Sequence, residues 1–258
     1  MKIRILGAHL AEQKGARLTS LLIDGVLVVD AGGLTSALSL PEQKKIKTVL
    51  LTHHHFDHTR DLVTLAANAG YYWRRQLVVY ALRYTLDIVT NCLLDGKIYT
   101  NFLEYPSKEK PTLILEAIEP YSRKTIAGYD VLAVPVKHSV PAVGYQITSS
   151  DGKSFFYTGD TTVGISECWQ HISPQLLITE VAGPNKYGDW LKKAGHLCAG
   201  FLKEELIQFR RLKGYLPRII AIHIGNPYEQ EIKREVAQVA QELEADISLG
   251  YEDMKITL

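Results

Sequence analysis

Five titratable side chains crowd the six residues His53 to His58 in the run Thr52-His53-His54-His55-Phe56-Asp57-His58. The run follows Thr48-Val49-Leu50-Leu51, an apolar segment of buried-strand type, and a helix is expected to begin near Asp61. Side chains alternate along an extended stretch, so His53 and His55 share a face, and the turn into the helix swings Asp57 and His58 to a second point nearby. Imidazole and carboxylate donors at this H-x-H-x-D-H spacing suit two metal ions. Packed as plain core imidazoles, the same groups would leave several buried donors and acceptors unpaired. A chain carrying this run must therefore fold so that a strand end opens onto a metal centre.

The rest of the sequence supplies the strands. Short β-branched runs recur at 2–6, 18–23, 26–30, 48–52 and 76–80, and again at 129–136, 143–149, 154–158, 176–180 and 218–222, with a last one near Ile247. Two sheets of similar size are implied. Helices are expected over 61–69, 83–94 and 201–213, and the spacing of Ile232, Val236, Val239, Ala240 and Leu243 marks the buried face of a further one. A single layered domain over 1–258 is the reading, with residues 95–125, broken by Pro106, Pro111 and Pro120, as an insertion that forms a surface loop or lines a pocket.

Composition narrows the class. With 29 Lys and Arg against 28 Asp and Glu, no general basic field draws the chain onto nucleic acid, although Lys108 and Lys110 offer a local one. No apolar run is long enough to span a bilayer, and three cysteines without a C-x-x-C pair suit a reducing cytoplasm as inert core or half-buried thiols. A cytoplasmic protein without membrane contact is expected; a homo-oligomer is compatible with the sequence.

Further ligand types stand at strand ends: Asp30 before Ala31-Gly32-Gly33, His138 after Val134-Pro135-Val136, Asp160 in Thr158-Gly159-Asp160-Thr161, and His223 after Ile219-Ile220-Ala221-Ile222. Taken in order with the histidine run, they make the sequence resemble the metallo-β-lactamase superfamily of hydrolases over almost its whole length. The resemblance implies an α/β fold of four αββα layers with the site at one edge between the sheets. It implies a first metal held by His53, His55 and His138, a second held by Asp57, His58 and His223, and Asp160 bridging them, with a hydroxide between the ions as nucleophile. The ions would be two divalent transition metals, with zinc first and manganese or iron as alternatives. Asp30 resembles the aspartate that supports the metal-binding loop without ligating. Outside the pattern, His54 is expected to point away from its neighbours, His171 to lie on the surface, and His9 to sit in the loop after the first strand on the side of the site, with contact to substrate left open.

Two more residues suggest a branch. Glu180 ends the strand-like run 176–180, and Gly195-His196-Leu197 precedes the helix 201–213. Together with Gly159-Asp160-Thr161, they resemble class II cyclic-nucleotide phosphodiesterases and transfer RNA 3′-processing endonucleases. Departures are Phe56 in place of a leucine and Asp61 in place of a glycine. The likeness implies that Glu180 and His196 face a phosphate, and Asp57, Glu180 and His196 are the expected catalytic side chains. The endonucleases carry a long arm between the positions matching His138 and Asp160; residues 139–159 are too few for one once two strands are subtracted. A small or cyclic-nucleotide phosphodiester is thus the expected substrate. An RNA-processing nuclease, a lactonase or thioesterase, and a non-hydrolytic di-iron protein remain as alternatives.

Overall fold

The computed structural model describes residues 1–258. Fourteen strands follow from the β-branched runs and turn-forming residues between them: β1 Lys2–Gly7, β2 Ser20–Ile23, β3 Leu27–Val29, β4 Thr48–Leu50, β5 Leu77–Ala81, β6 Leu113–Ala117, β7 Arg123–Ile126, β8 Tyr129–Val136, β9 Ala142–Thr148, β10 Ser154–Tyr157, β11 Leu176–Glu180, β12 Arg218–Ile222, β13 Ile247–Leu249 and β14 Lys255–Thr257. They form two seven-stranded sheets ordered β14-β1-β2-β3-β4-β5-β6 and β13-β12-β11-β10-β9-β8-β7. From β3 to β6 and from β10 to β13 the pairing is parallel. Strands such as Leu176–Glu180, buried along their whole length, show the continuous apolar composition that a parallel sheet covered on both faces requires.

Three apolar clusters define the layers. Twenty-three buried residues, including Ile5, Leu21, Val131 and Tyr145, lie between the sheets. Twenty-two others, among them Val49, Leu65 and Leu86, join the first sheet to its outer helices, and twenty, among them Trp169, Leu206 and Val236, do so for the second. Their nearly equal size means that each of the three interfaces of an αββα sandwich is a full core. The helix Glu229–Glu242 presents Ile232, Val236 and Val239 inward and carries Glu229 and Glu231 in its first turn, where carboxylates complement the helix dipole. No helix is long and apolar enough to cross a membrane.

The structure differs from the sequence expectations in several places. The helix expected from Asp61 begins earlier, with a single turn Phe56–Thr59 that takes in Asp57 and His58, followed by Leu62–Ala67 and a π-helical turn Asn68–Trp73. Residues 113–126 hold β6 and β7, the edge strands of the two sheets; β7 reads Arg-Lys-Thr-Ile, the charged composition that edge strands use against unwanted pairing and that hides them from a hydrophobic-pattern search. Helices Ser166–His171 and Gly188–Ala194 are too short for a periodic signal. Cys92 is exposed, neither core nor half-buried, while Cys168 and Cys198 are buried.

Candidate metal centre

All the clustered side chains stand where same-direction strands end. His53 and His55 follow β4, His138 follows β8, Asp160 follows β10, Glu180 closes β11 and His223 follows β12. Because β8, β10, β11 and β12 run the same way in one sheet and β4 ends beside them in the other, the crevice beyond the carboxyl ends gathers residues far apart in sequence. Two backbone positions make this possible. Gly159 has φ +61°, and a Cβ there would lie 2.8 Å from the Thr52 side chain. Gly195, with φ +90°, would place a Cβ 2.8 Å from His138 Nδ1.

Two sets of donor atoms converge, His53, His55, His138 and Asp160 in one and Asp57, His58, Asp160 and His223 in the other, with the atoms of each set within 4.8 Å of one another. Asp160 belongs to both. Its Oδ1 lies 3.2 Å from His58 Nε2, and its Oδ2 lies 3.3 Å from His223 Nε2 and 3.8 Å from His53 Nε2. Asp57 Oδ2 is 3.5 Å from His58 Nε2 and 3.9 Å from His223 Nε2. His138 Nε2 faces His55 Nδ1 at 3.2 Å.

The far side of each ring is tied to protein, which fixes tautomer and orientation. His53 Nδ1 donates to Thr52 Oγ1 at 3.0 Å, because that hydroxyl already gives its proton to Asp30. His58 Nδ1 donates to Asp30 Oδ2 at 2.7 Å, His138 Nδ1 to Gly195 O at 2.9 Å, and His223 Nδ1 to Thr19 Oγ1 at 2.9 Å. With their Nδ1 atoms committed, four imidazoles aim their Nε2 atoms at the same space. His53 Nε2, His58 Nε2, His223 Nε2 and Asp160 Oδ1 are buried without a hydrogen-bond partner. Orphaned polar atoms of this kind, converging from imidazoles and carboxylates, fit divalent transition-metal ions.

Electrostatics points the same way. Burial pushes His53 and His223 below the usual imidazole range, and burial with the charge of His138 takes His55 down to about 4. His58 goes the other way: burial opposes its charge, but Asp160, Asp30 and Asp57 outweigh burial and hold it well above the ordinary value. Burial would likewise raise Asp160, yet His223, His58 and His53 hold it well below the carboxylate range. The pocket is thus set to keep Asp160 ionised at the point where both donor sets meet.

Beside this cluster, His196 Nδ1 donates to Glu180 at 3.0 Å (Oε1) and 3.1 Å (Oε2), and stands 4.0 Å from Asp160 Oδ2. Glu180, fully buried, also accepts from Thr161 N at 2.6 Å and Leu197 N at 3.2 Å, so one carboxylate fixes the residues following both Asp160 and His196. Burial pulls His196 down, but the charge of Glu180, its hydrogen bond and the more distant Asp160 and Asp57 carry it up to about 9.

Other sequence expectations fare variously. Asp30 lies beneath the cluster, as a hub accepting from Thr52 N, Thr52 Oγ1, His58 Nδ1 and Tyr157 OH. His54 turns aside onto Tyr84, with ring centroids 5.5 Å apart. His171 is exposed and lies against Tyr121. His9 is only 5% exposed, and its ring nitrogens face Glu252 at 2.6 Å and Glu229 at 3.7 Å, so it is engaged in an ion-pair network and not open to substrate. Thr19 was not singled out from sequence, and Gly195 was noted only within Gly195-His196-Leu197, not as the residue whose carbonyl orients His138.

Residues 19–224 match the family described as the β-lactamase superfamily domain. A ribonuclease Z from Methanococcus maripaludis is 29% identical over 155 residues, covering 56% of this chain and 47% of that protein. The chain spans between about a third and a half of the length of the first curated relatives it matches. Among solved structures, unliganded yeast PDE1 superposes with TM-score 0.84 at 17% identity, covering 100% of this chain and 99% of that one. Human tRNase Z, short form, gives 0.70 at 16% identity with 100% and 99% covered. With the family match spanning most of the sequence and the fold shared at both ends of these comparisons, the chain belongs to the metallo-β-lactamase superfamily.

Proposed function

We propose that the chain is a metal-dependent hydrolase of phosphodiesters, that His53, His55 and His138 hold one ion, Asp57, His58 and His223 a second, and that Asp160 serves both. The observation carrying the reaction class is the Glu180–His196 pair 4.0 Å from Asp160. Bound divalent ions supply Lewis acidity and an activated water nucleophile. Attack at phosphorus builds negative charge on the equatorial oxygens and expels an alkoxide. A protonated His196 faces that charge, and Glu180 holds the ring charged and aimed; the imidazolium either neutralises the oxygens or gives its Nε2 proton to the leaving group. Asp57, the carboxylate of the cluster open to solvent with a side chain 26% exposed, orients the attacking water and takes up its proton. The whole chain acts as one catalytic domain in this reading.

The favoured substrate is a small phosphodiester, with a 3′,5′-cyclic nucleotide first among them. Between His138 and Asp160 the strands β9 and β10 are joined through residues 149–153 in a tight hairpin, which leaves no protruding arm to grip a large RNA. The second reading, an RNA 3′-processing endonuclease, draws on the curated relatives, which are named ribonuclease Z. Catalytic efficiencies on cyclic AMP, cyclic GMP, a chromogenic phosphodiester and a 3′-extended transfer RNA, measured with zinc, manganese and iron in turn, separate the two. Efficient trimming of the RNA beside inert cyclic nucleotides would overturn the favoured substrate, and turnover of lactones or thioesters alone would overturn the reaction class.

A further inference from the structure

Basic residues recur just before three successive strands of the first sheet: Lys44, Lys45 and Lys47 before β4, Arg74 and Arg75 before β5, and Lys108 and Lys110 before β6. Because β4, β5 and β6 are parallel neighbours, their starting ends lie side by side; Val78 N donates to Lys47 O at 3.2 Å and Leu77 N donates to Thr112 O at 2.8 Å. A cleft of about 390 Å³ opens there, lined by Arg74, Arg75, Gln76, Lys110, Thr112 and two prolines, with no carboxylate in its wall. From Lys47 to His53 the chain runs six residues along the strand direction, roughly 20 Å at about 3.3 Å per residue, so the cleft sits at the end of the sheet opposite the metal centre.

We infer that this cleft is a second anion site, one that takes the phosphoryl group of a phosphate ester. Nearby carboxylates are committed elsewhere: Glu42 binds Arg4 and Ser39, Glu104 pairs with Lys108, and Glu109 is held by Ser107. Arg75 is half-buried and bonds only the main-chain oxygen of Lys44. Burial draws its guanidinium below the usual value with no acid to restore it, so a desolvated cation lacks a counter-charge. Two guanidinium forks and an ammonium around one small polar cleft match the several oxygens of a phosphoryl dianion better than the two of a single carboxylate. Apart from Pro106 and Pro111 the wall is polar or cationic, which favours a charged ligand over an uncharged one. The phosphoryl group would come from a free mononucleotide or from an RNA backbone, and the site is independent of which phosphodiester the metal centre cleaves.

Binding of inorganic phosphate, AMP and a fluorescent single-stranded RNA of about 12 nucleotides, a length within the roughly 4–16 nucleotide footprint of single-strand sites, to the metal-loaded protein tests this. Wild type is compared with Arg74→Ala/Lys110→Ala, which keeps the Arg75 bond to Lys44, and with the triple variant adding Arg75→Ala. Sites at the metal centre persist in all three proteins, so the change isolates the cleft. The double variant is expected to weaken the cleft component roughly tenfold or more. In the triple variant the salt slope for RNA should fall by about 2, at about 0.7 per lost phosphate contact. Hydrolysis of the chromogenic phosphodiester should stay within about twofold of wild type. Cleft binding by AMP and phosphate identifies a free nucleotide as the source, and binding by RNA alone identifies the backbone. Absence of a cleft component for all three ligands, or one equal in wild type and the double variant, would overturn the inference.

Discussion

Replacing Glu180 with Gln should move the basic limb of the pH–rate profile downward while leaving the metals in place. Glu180 and its neighbouring acids carry His196 up to about 9 from an ordinary 6.5, against the pull of burial. That displacement corresponds to about 3 kcal/mol in favour of the imidazolium, at about 1.4 kcal/mol per tenfold. At pH 8 a group titrating at about 9 is about nine-tenths protonated, whereas one at 6.5 or below is protonated to about 3% or less. If the imidazolium is the reactive form, Glu180→Gln loses roughly 30-fold in kcat/KM at pH 8 and recovers as the pH falls toward 6. Cations bound nearby lower both values together, so the informative quantity is the displacement between wild type and variant. The assay is the kcat/KM profile of both proteins on a chromogenic phosphodiester at saturating metal, with metal content measured alongside. A superimposable basic limb in the two proteins would refute the reasoning, and loss of metal in the variant would reassign Glu180 to a structural role.

Other expectations follow from the same geometry. His196→Ala should retain both ions and lower turnover about 100-fold or more, abolishing the basic limb; an unchanged rate would remove the dyad from the reaction. Wild-type protein should hold about two transition-metal ions per chain by elemental analysis, and Asp160→Ala should lose at least one together with activity, because both donor sets share this carboxylate; full occupancy with normal turnover would contradict the shared role. Asp30→Ala removes the acceptor for Thr52, His58 and Tyr157 in a fully buried position, so denaturant titration should show a loss of about 3–5 kcal/mol and metal affinity should drop roughly 10- to 100-fold; a stable variant with wild-type affinity would show the hub to be dispensable. In metal-stripped protein the His196 proton is held more tightly folded than unfolded, so its contribution is complete below about pH 6.5 and is lost as the pH rises through about 9. Denaturation at pH 6 and pH 10 should show that decline in wild type and a smaller one in Glu180→Gln.

Much of this molecule was legible in its amino-acid order, because the features concerned are local. The run from His53 to His58 needs only strand alternation and one turn to present two donor sets, and the parallel strands needed only their own apolar composition to be seen. Asp160 and His223 were recognisable because each follows a strand-like run. What the order of residues left open depends on contacts between segments far apart in the chain. The edge strands β6 and β7 owe their existence to neighbours with which they pair, and charged Arg123-Lys124 gives no apolar pattern. Whether His9 reached the cleft was decided by Glu252, some 240 residues away, which captures its ring in the folded protein. Asp30 was expected to support the loop, but the orientation of His223 rests on Thr19, brought over from the other sheet, and that of His138 on Gly195, 57 residues away. The sequence by itself determined which donor types line up at strand ends, since that is set by short-range backbone geometry. Only the tertiary structure decided which nitrogen of each imidazole faces the shared space, because that choice belongs to hydrogen-bond partners brought in by folding.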